Sequence, residues 1–486
     1  MTTRRPELEA ATRIALERAV GEGDVVVDEE SLLPYASDAC PLPIVERPLA
    51  VVRPRSVDAA ARAFRILVDA RIPITPRGAG SGKVGGAIAS PGGVVFSLER
   101  LTQIVDVDEA NGLARVEAGV ITGELQRVVE ERGLFYPPDP ASLAYSTIGG
   151  NIATNAGGPR ALKYGVTREY TLGLDVLLPT GERVTIGRQT TKGVAGYDLV
   201  ALMTGSEGTL GVILGATLKL LPLPQGRATA IFAFSSAESA ARAVARCFAR
   251  GVTPVTVEYL DRQSIDAVRA YGAPYSFSAR AAAALVVETD GLDDDGALLA
   301  LERVARAAEE EGAVESEVAS DARRRRDLWE TRRRLSDALR RVTGKKVSED
   351  ITVPRAALPQ MIAAIDALGE RHALSTCAFG HAGDGNLHVQ VLYHDDGALP
   401  RVRALLDDLF RETLRQSGTV SGEHGVGRAK KPWLPLEHGP DVLELERRVR
   451  RAFDPHGLMN RGAIFDDPMF DDAMFDDPMF DDEGPR

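Results

Sequence analysis

The sequence is short of cysteine, of basic excess and of long apolar runs, and each shortage excludes something. Its three cysteines, Cys40, Cys247 and Cys377, stand far apart with no Cys-x-x-Cys pair. Neither a disulfide framework nor an iron–sulfur cluster can be built from them, and a reducing compartment fits. The net charge of -12 gives no footing to nucleic acid; residues 465–486 hold nine acids and one arginine, so that tail carries -8 and the rest only -4. The arginines of the body mostly stand at helical spacing beside acids, which reads as solvated helix faces. No apolar stretch approaches the roughly 20 residues of a transmembrane helix. The first residues, MTTRRPELEAATRIALERAV, form an amphipathic helix with acids inside it, unlike a secretory signal. The expectation is a soluble, cytoplasmic protein that binds no nucleic acid.

A chain of 486 residues is too long for one core and predicts two or three domains. After a helical lead over 1–46, a first α+β domain over 47–224 is read from short alternating elements. These are a strand over 48–53, a helix over 56–71 capped by Ser56, a strand over 72–76, and apolar residues 93–97. Two hairpins follow, 103–107 with 113–117 across Asn111-Gly112 and 174–178 with 183–186. The proline-bearing join at 221–224 closes this domain. A second α+β domain over 225–420 begins with a strand over 229–234, a helix over 237–250 and a strand over 254–259, and carries long helices over 297–311 and 322–343. Residues 421–465 form a C-terminal segment with motifs of its own, and 466–486 an acidic tail. In that tail phenylalanines recur five apart, which turns about 140° per step on a helix at about 100° per residue and lines no single face. The tail reads as solvated and disordered, or as a docking peptide whose phenylalanines enter a basic partner groove.

Glycine is plentiful, and it is clustered. Pro76-Arg-Gly-Ala-Gly-Ser-Gly-Lys-Val-Gly-Gly-Ala87 lets backbone N–H groups crowd a phosphate. A P-loop is excluded, because Gly78 stands one residue too close to Gly82 and Val84 offers no hydroxyl for magnesium. The dinucleotide fingerprint is excluded by Lys83, where it needs glycine. Two further stretches, Ser146–Gly158 (STIGGNIATNAGG) and Tyr197–Val212 (YDLVALMTGSEGTLGV), indicate a long ligand laid across the first domain.

Together these blocks resemble the FAD-binding PCMH-type domain of vanillyl-alcohol-oxidase-type enzymes. Within them, residues 51–465 are similar to the glycolate oxidase large subunit, D-lactate dehydrogenase and D-2-hydroxyglutarate dehydrogenase family. The resemblance implies an α+β fold: a two-part FAD domain, an α+β cap domain for the substrate, and a C-terminal segment returning to the flavin domain. It implies that the first loop cradles the FAD pyrophosphate. Cofactor contacts are implied at Arg77, Gly78, Ala79, Gly80, Ser81, Gly82, Pro138, Asp139, Ser142, Thr147, Gly149, Gly150, Asn151, Ala153, Asn155, Gly157, Tyr164, Gly165, Glu207, Gly208, Gly211, Val212 and Asn460. The turn Phe453–Gly462 departs from its relatives, with Arg461 and Ala463 in place of proline and lysine.

The stretch Phe379-Gly-His-Ala-Gly-Asp-Gly-Asn-Leu-His-Val389 reads as a hairpin turning at Asp384-Gly385, which opposes His381 to His388 on one face. Two imidazoles so placed can bind a divalent cation, and Ser421-Gly-Glu-His-Gly425 offers a carboxylate to complete the site. The resemblance implies His381, His388 and Glu423 as metal ligands and His424 as the catalytic base. They are expected to converge around one cation before the isoalloxazine ring. Zinc suits the donor set, with manganese and iron open. By the same resemblance Arg332, three after Trp329, clamps the substrate carboxylate, a task suited to a planar guanidinium. Ser336 and Asn386 line the substrate site with His424. Relatives specific for hydroxyglutarate carry a lysine where this chain has Ser348; Lys345 and Lys346 are the available substitutes.

The implied reaction oxidises a small D-2-hydroxy acid to its 2-oxo acid. Reduced flavin then passes electrons to an electron-transfer flavoprotein, a quinone or an iron–sulfur subunit. The rival readings are a flavin-dependent transferase of the alkyl-glycerone-phosphate synthase type and a flavin-carrying electron-transfer subunit without catalysis. Relatives that bond FAD covalently place histidine where this chain has Ser81, so FAD is expected to be bound non-covalently. Acid precipitation should leave the yellow colour in the supernatant; colour retained in the pellet contradicts this.

Overall fold

The computed structural model describes residues 7–42 and 44–466. The Phe-Asp-Asp repeats from residue 467 on, and the docking role considered for them, lie outside those residues. The described chain forms two compact units: one holds the residues up to Ala156, Val166–Leu223 and those from Glu423 on, the other Gly157–Gly165 and Pro224–Gly422.

In the first unit, strands Val51–Val52, Val94–Ser97 and Ile74–Arg77 run parallel, with Val25–Val26 antiparallel at the edge. Their residues are almost all buried, as an apolar run covered on both faces requires. Helix Val57–Asp69 starts where the Ser56 side chain accepts the Ala59 N–H at 3.2 Å. Its Ala60, Ala63, Phe64 and Leu67 are fully buried, and the Phe64 ring meets Phe96 edge-on at 5.9 Å. Leu16 of helix Ala10–Val20 joins the same core.

Both expected hairpins form in this unit, Ile104–Asp108 with Leu113–Glu117 and Thr171–Leu177 with Arg183–Gly187. The first turns over four residues, because the Asp108 carboxylate takes up the backbone N–H and side-chain amide of Asn111. Strand Val212–Lys219 lies between the two hairpins and joins them into a five-stranded antiparallel sheet.

The C-terminal segment returns to the first sheet. Ile74 donates to the Leu458 carbonyl at 2.7 Å and accepts from the Asn460 N–H at 2.8 Å. The Asn460 side chain then bridges the carbonyls of Gly86 and Glu207 at 2.8 and 2.7 Å. Despite the unusual residues at 461 and 463 the turn is intact: the Arg461 carbonyl accepts from Ser90 and Arg428, and Ala463 is fully buried.

The second unit is a seven-stranded antiparallel sheet. Its order is Ala313–Val318, Gly226–Phe234, Ala283–Gly291, Thr256–Leu260, Ser375–His381, Asn386–Tyr393, Lys345–Thr352. The helical stretch expected over 322–343 is divided at Arg334 into Ala322–Arg333 and Leu335–Thr343. Leu328, Leu335, Ala338 and Leu339 pack there with Ile231, Val286, Cys377 and Phe379 of the sheet. No helix among the described residues is long and apolar enough to cross a membrane.

Glu207 ties the segment after His424 to the body of the first unit. Its carboxylate accepts the N–H groups of Val426 and Gly427, each at 2.8 Å. Burial raises its pKa from 4.5 to about 7 against the lowering effect of those bonds. A raised carboxyl pKa favours the folded state below the unfolded pKa, and that stabilisation is lost as pH rises through about 7. Denaturant midpoints are therefore expected to fall between about pH 5 and 8 in the wild type, and Glu207→Gln should remove that part of the slope. Parallel profiles for the two proteins refute the assignment.

Candidate functional site

The glycine-rich loop follows strand Ile74–Arg77 directly. Among the described residues, none of the backbone N–H groups from Ala79 to Gly86 donates a hydrogen bond. Such a run of unspent donors is unusual in a folded chain and suits a phosphate-bearing ligand. Arg77 braces the loop rather than extending from it. Its guanidinium donates to the carbonyls of Ser37 at 2.9 Å, Ala87 at 3.1 Å and Pro34 at 3.2 Å. Gly78 has no room for a side chain, since a Cβ there would lie 2.2 Å from the Thr147 hydroxyl. The first glycine stretch is thus packed on the start of helix Ile148–Thr154.

The second stretch has mostly spent its donors. Ile148 donates to Val120, Gly149 to Ala118, and Gly150 to its own cap Thr147. The Asn151 amide donates to Thr122 at 2.7 Å, Asn155 caps the helix in the left-handed region, and the Ala153 carbonyl accepts from Glu207. Gln126 fixes the loop before Asp139 and Ser142 by donating to the Pro138 carbonyl at 2.8 Å. Gly208 and Gly211 make close turns against Pro76 and Leu177, and Val212 opens a strand. Gly157, Tyr164 and Gly165 belong to the second unit, where the Tyr164 hydroxyl donates to Asp290.

Register builds the centre of the second unit. Ile231, Val286, Glu258 and His381 are successive cross-strand partners, and so are Phe379, His388 and Asp350. Cross-strand partners share a face, and Phe379 and His381 share one by alternation. His388 thus opposes Phe379 and not His381, because the turn spans Ala382–Gly385 while His381 continues the strand to pair with Glu258. The register differs by two residues from the expected hairpin, and an even shift leaves both imidazoles on one face. Their rings lie 5.1 Å apart and nearly perpendicular.

Glu258 is fully buried. Oε1 accepts from His381 Nδ1 at 2.5 Å and Oε2 from Arg332 Nε at 2.7 Å. Burial would raise its pKa, but His381 and Arg332 bring it down to about 2. The Arg332 guanidinium lies 4.8 Å over the Phe379 ring. Among the described residues its Nη atoms make no hydrogen bond, so the fork is available to a carboxylate.

Asp350, also fully buried, accepts from Asn386 Nδ2, the Ser421 hydroxyl and the Gly422 N–H. The Asn386 Oδ1 is buried and accepts nothing from the described residues. Glu423 follows directly, and ligand atoms of His381, His388 and Glu423 lie within 4.8 Å of one another. With Nδ1 of His381 held by a carboxylate, Nε2 is the ring nitrogen left to face a cation, an arrangement common at metal centres. Two imidazoles and one carboxylate fit a divalent transition metal with positions left open. His424 Nε2 stands 4.0 Å from Glu423 Oε1. Ser336 accepts from Lys346 at 3.3 Å, Lys345 is paired with Asp396, and Ser348 accepts from Gln390 at 2.6 Å.

Comparison with known proteins gives the family and the fold. A family model described as FAD binding domain matches residues 48–187, and one described as FAD linked oxidases, C-terminal domain, matches 223–464. The chain is 38% identical over 439 residues to glycolate oxidase subunit GlcD of Bacillus subtilis, covering 89% of this chain and 92% of that one. It is 32% identical to a D-lactate dehydrogenase of Anaerostipes hadrus, covering 90% and 94%. A solved alkyldihydroxyacetonephosphate synthase shares the fold with a TM-score of 0.75, at 17% identity over 95% of this chain and 86% of that one.

Sequence reasoning missed Glu258 and Asp350. The signal for the first was an acid inside the apolar run Val255–Leu260. A Cβ on Gly422 would stand 2.0 Å from Asn386 Nδ2 and 2.3 Å from the Thr352 hydroxyl. Gly422→Ala is therefore expected to displace Glu423 and weaken divalent metal binding about 10-fold or more with FAD content unchanged. Metal titration against a chelator reads this; an unaltered affinity refutes it.

Proposed function

Because the chain belongs to the FAD-linked oxidase family of glycolate oxidase subunits and D-lactate dehydrogenases, we propose that it oxidises a small D-2-hydroxy acid of the lactate or glycolate kind to the 2-oxo acid. As a member it is an FAD-dependent hydroxy acid dehydrogenase; the substrate, the metal, the acceptor and the residue roles are the proposal. The observation that carries it is the grouping of His381, His388 and Glu423 beside a buried carboxylate that also holds Arg332.

Bound FAD supplies the two-electron acceptor, held without a covalent bond, and a cation on His381, His388 and Glu423, zinc before manganese or iron, supplies Lewis acidity. The chain's own groups do the rest. The two Nη atoms of Arg332 take the substrate carboxylate as a bidentate pair. His424 receives the hydroxyl proton, a role suited to imidazole's near-neutral titration. Asn386 offers its Oδ1, and Ser336 lines the same site. Ser348, bonded to Gln390, brings no positive charge for a second carboxylate, which favours a monocarboxylate. Electrons leave to an electron-transfer flavoprotein, a quinone or an iron–sulfur subunit, since the chain lacks a cluster motif of its own.

Anaerobic mixing with D-lactate, glycolate and D-2-hydroxyglutarate tests this, with bleaching of the flavin expected from one of the first two. His424→Ala should slow bleaching about 10²- to 10⁴-fold. His438→Ala, whose imidazole pairs with Glu446, should not. Protein that carries FAD and metal but is bleached by none of the three acids refutes the proposal.

A further inference from the structure

Glu258 has a place in the site that neither metal binding nor substrate binding by itself explains. A carboxylate at the centre of a sheet is costly to bury and is kept only where donors meet it. Here each oxygen meets a different donor, one from the sheet and one from helix Ala322–Arg333. The first contact makes Nδ1 of His381 the protonated nitrogen, so the lone pair of Nε2 points away from Glu258. The second takes Arg332 by Nε, on one edge of the guanidinium, and leaves its two Nη atoms without a hydrogen bond among the described residues. The ring of Phe379, cross-strand partner of His388, supports the guanidinium from below.

We infer that Glu258 is a positioning residue that sets the tautomer of the metal ligand His381 and the aim of the carboxylate clamp Arg332 together. The inference rests on the hydroxy acid reading above. One carboxylate then couples the two halves of the substrate's binding: the cation that takes its hydroxyl and the fork that takes its carboxylate. Glu258 touches neither substrate nor metal.

Glutamine at 258 keeps the shape but can accept from only one of the two donors. If its oxygen faces Arg332, its amide donates to Nδ1 of His381 and forces the proton onto Nε2, the nitrogen that must ligate. Full-length FAD-loaded Glu258→Gln and Glu258→Asp are stripped of metal and titrated with zinc, then manganese, against a chelator. Whichever variant retains FAD is expected to bind metal about 10- to 100-fold more weakly than wild type. It should also show a raised KM for the hydroxy acid at saturating metal, since neither a neutral amide nor a shorter carboxylate holds the Arg332 Nε as the native carboxylate does. A merely structural glutamate leaves both values alone. Affinity and KM within twofold of wild type in the FAD-retaining variant overturn the inference while leaving the proposed function standing. A wild type that binds metal and bleaches thus separates this failure from that of the reaction itself. Should neither variant retain FAD, Arg332→Lys, which keeps the charge but not the Nε contact, must weaken metal binding at least threefold, or the coupling is refuted.

Discussion

Strand parity in the seven-stranded sheet governs the chemistry of the second unit. A residue in a sheet faces the side that its position dictates, and antiparallel pairing carries that side from strand to strand. Glu258, His381, Phe379, His388 and Asp350 come from four strands, yet pairing places them all on one face. Slippage of any of these strands by one residue would turn its polar groups to the other side. The apolar packing of Ile231, Val286 and Leu328 on that same face resists such slippage, so core and site are fixed by one register.

Polarity inside this face is tolerated because it is satisfied. Asp350 spends its oxygens on Asn386, Ser421 and Gly422, and Glu258 on His381 and Arg332. Each buried charge therefore holds something in place: the first the backbone that precedes Glu423, the second the side chains of His381 and Arg332. Removing one partner from such a group leaves a desolvated charge, which costs about 3–5 kcal/mol. The first unit works by the opposite means. Its loop from Ala79 to Gly86 keeps donors unspent among the described residues, and hydrogen bonds from its neighbours brace it. Arg77 stitches it to the carbonyls of Pro34, Ser37 and Ala87, and Asn460 ties its end to the C-terminal turn.

Much of the fold was legible, and the misses have physical causes. Helix Val57–Asp69 was marked by its Ser56 cap, which is a local signal. The hairpins were marked by their turn residues, but strand Val212–Lys219 between them was not, because a central strand is chosen by distant partners. The long arginine-rich helix was expected to be continuous; it is broken at Arg334, although Leu328 and Leu335 on either side of the break pack into one core. The hairpin at Ala382–Gly385 was given too tight a turn, yet the error of two residues kept both histidines together.

By itself the sequence determined the glycine-rich loop, the paired histidines, the acid that follows Gly422, and the want of sulfur ligands for a cluster. These depend on residue type and short spacing, which the chain carries wherever it folds. Only the tertiary structure decided that Arg77 is a brace, that Glu258 and Asp350 are the hidden supports, and that one carboxylate meets both His381 and Arg332. Those contacts join residues 74 and 123 positions apart. No local pattern encodes such a distance; strand pairing and the burial of apolar faces bring them together.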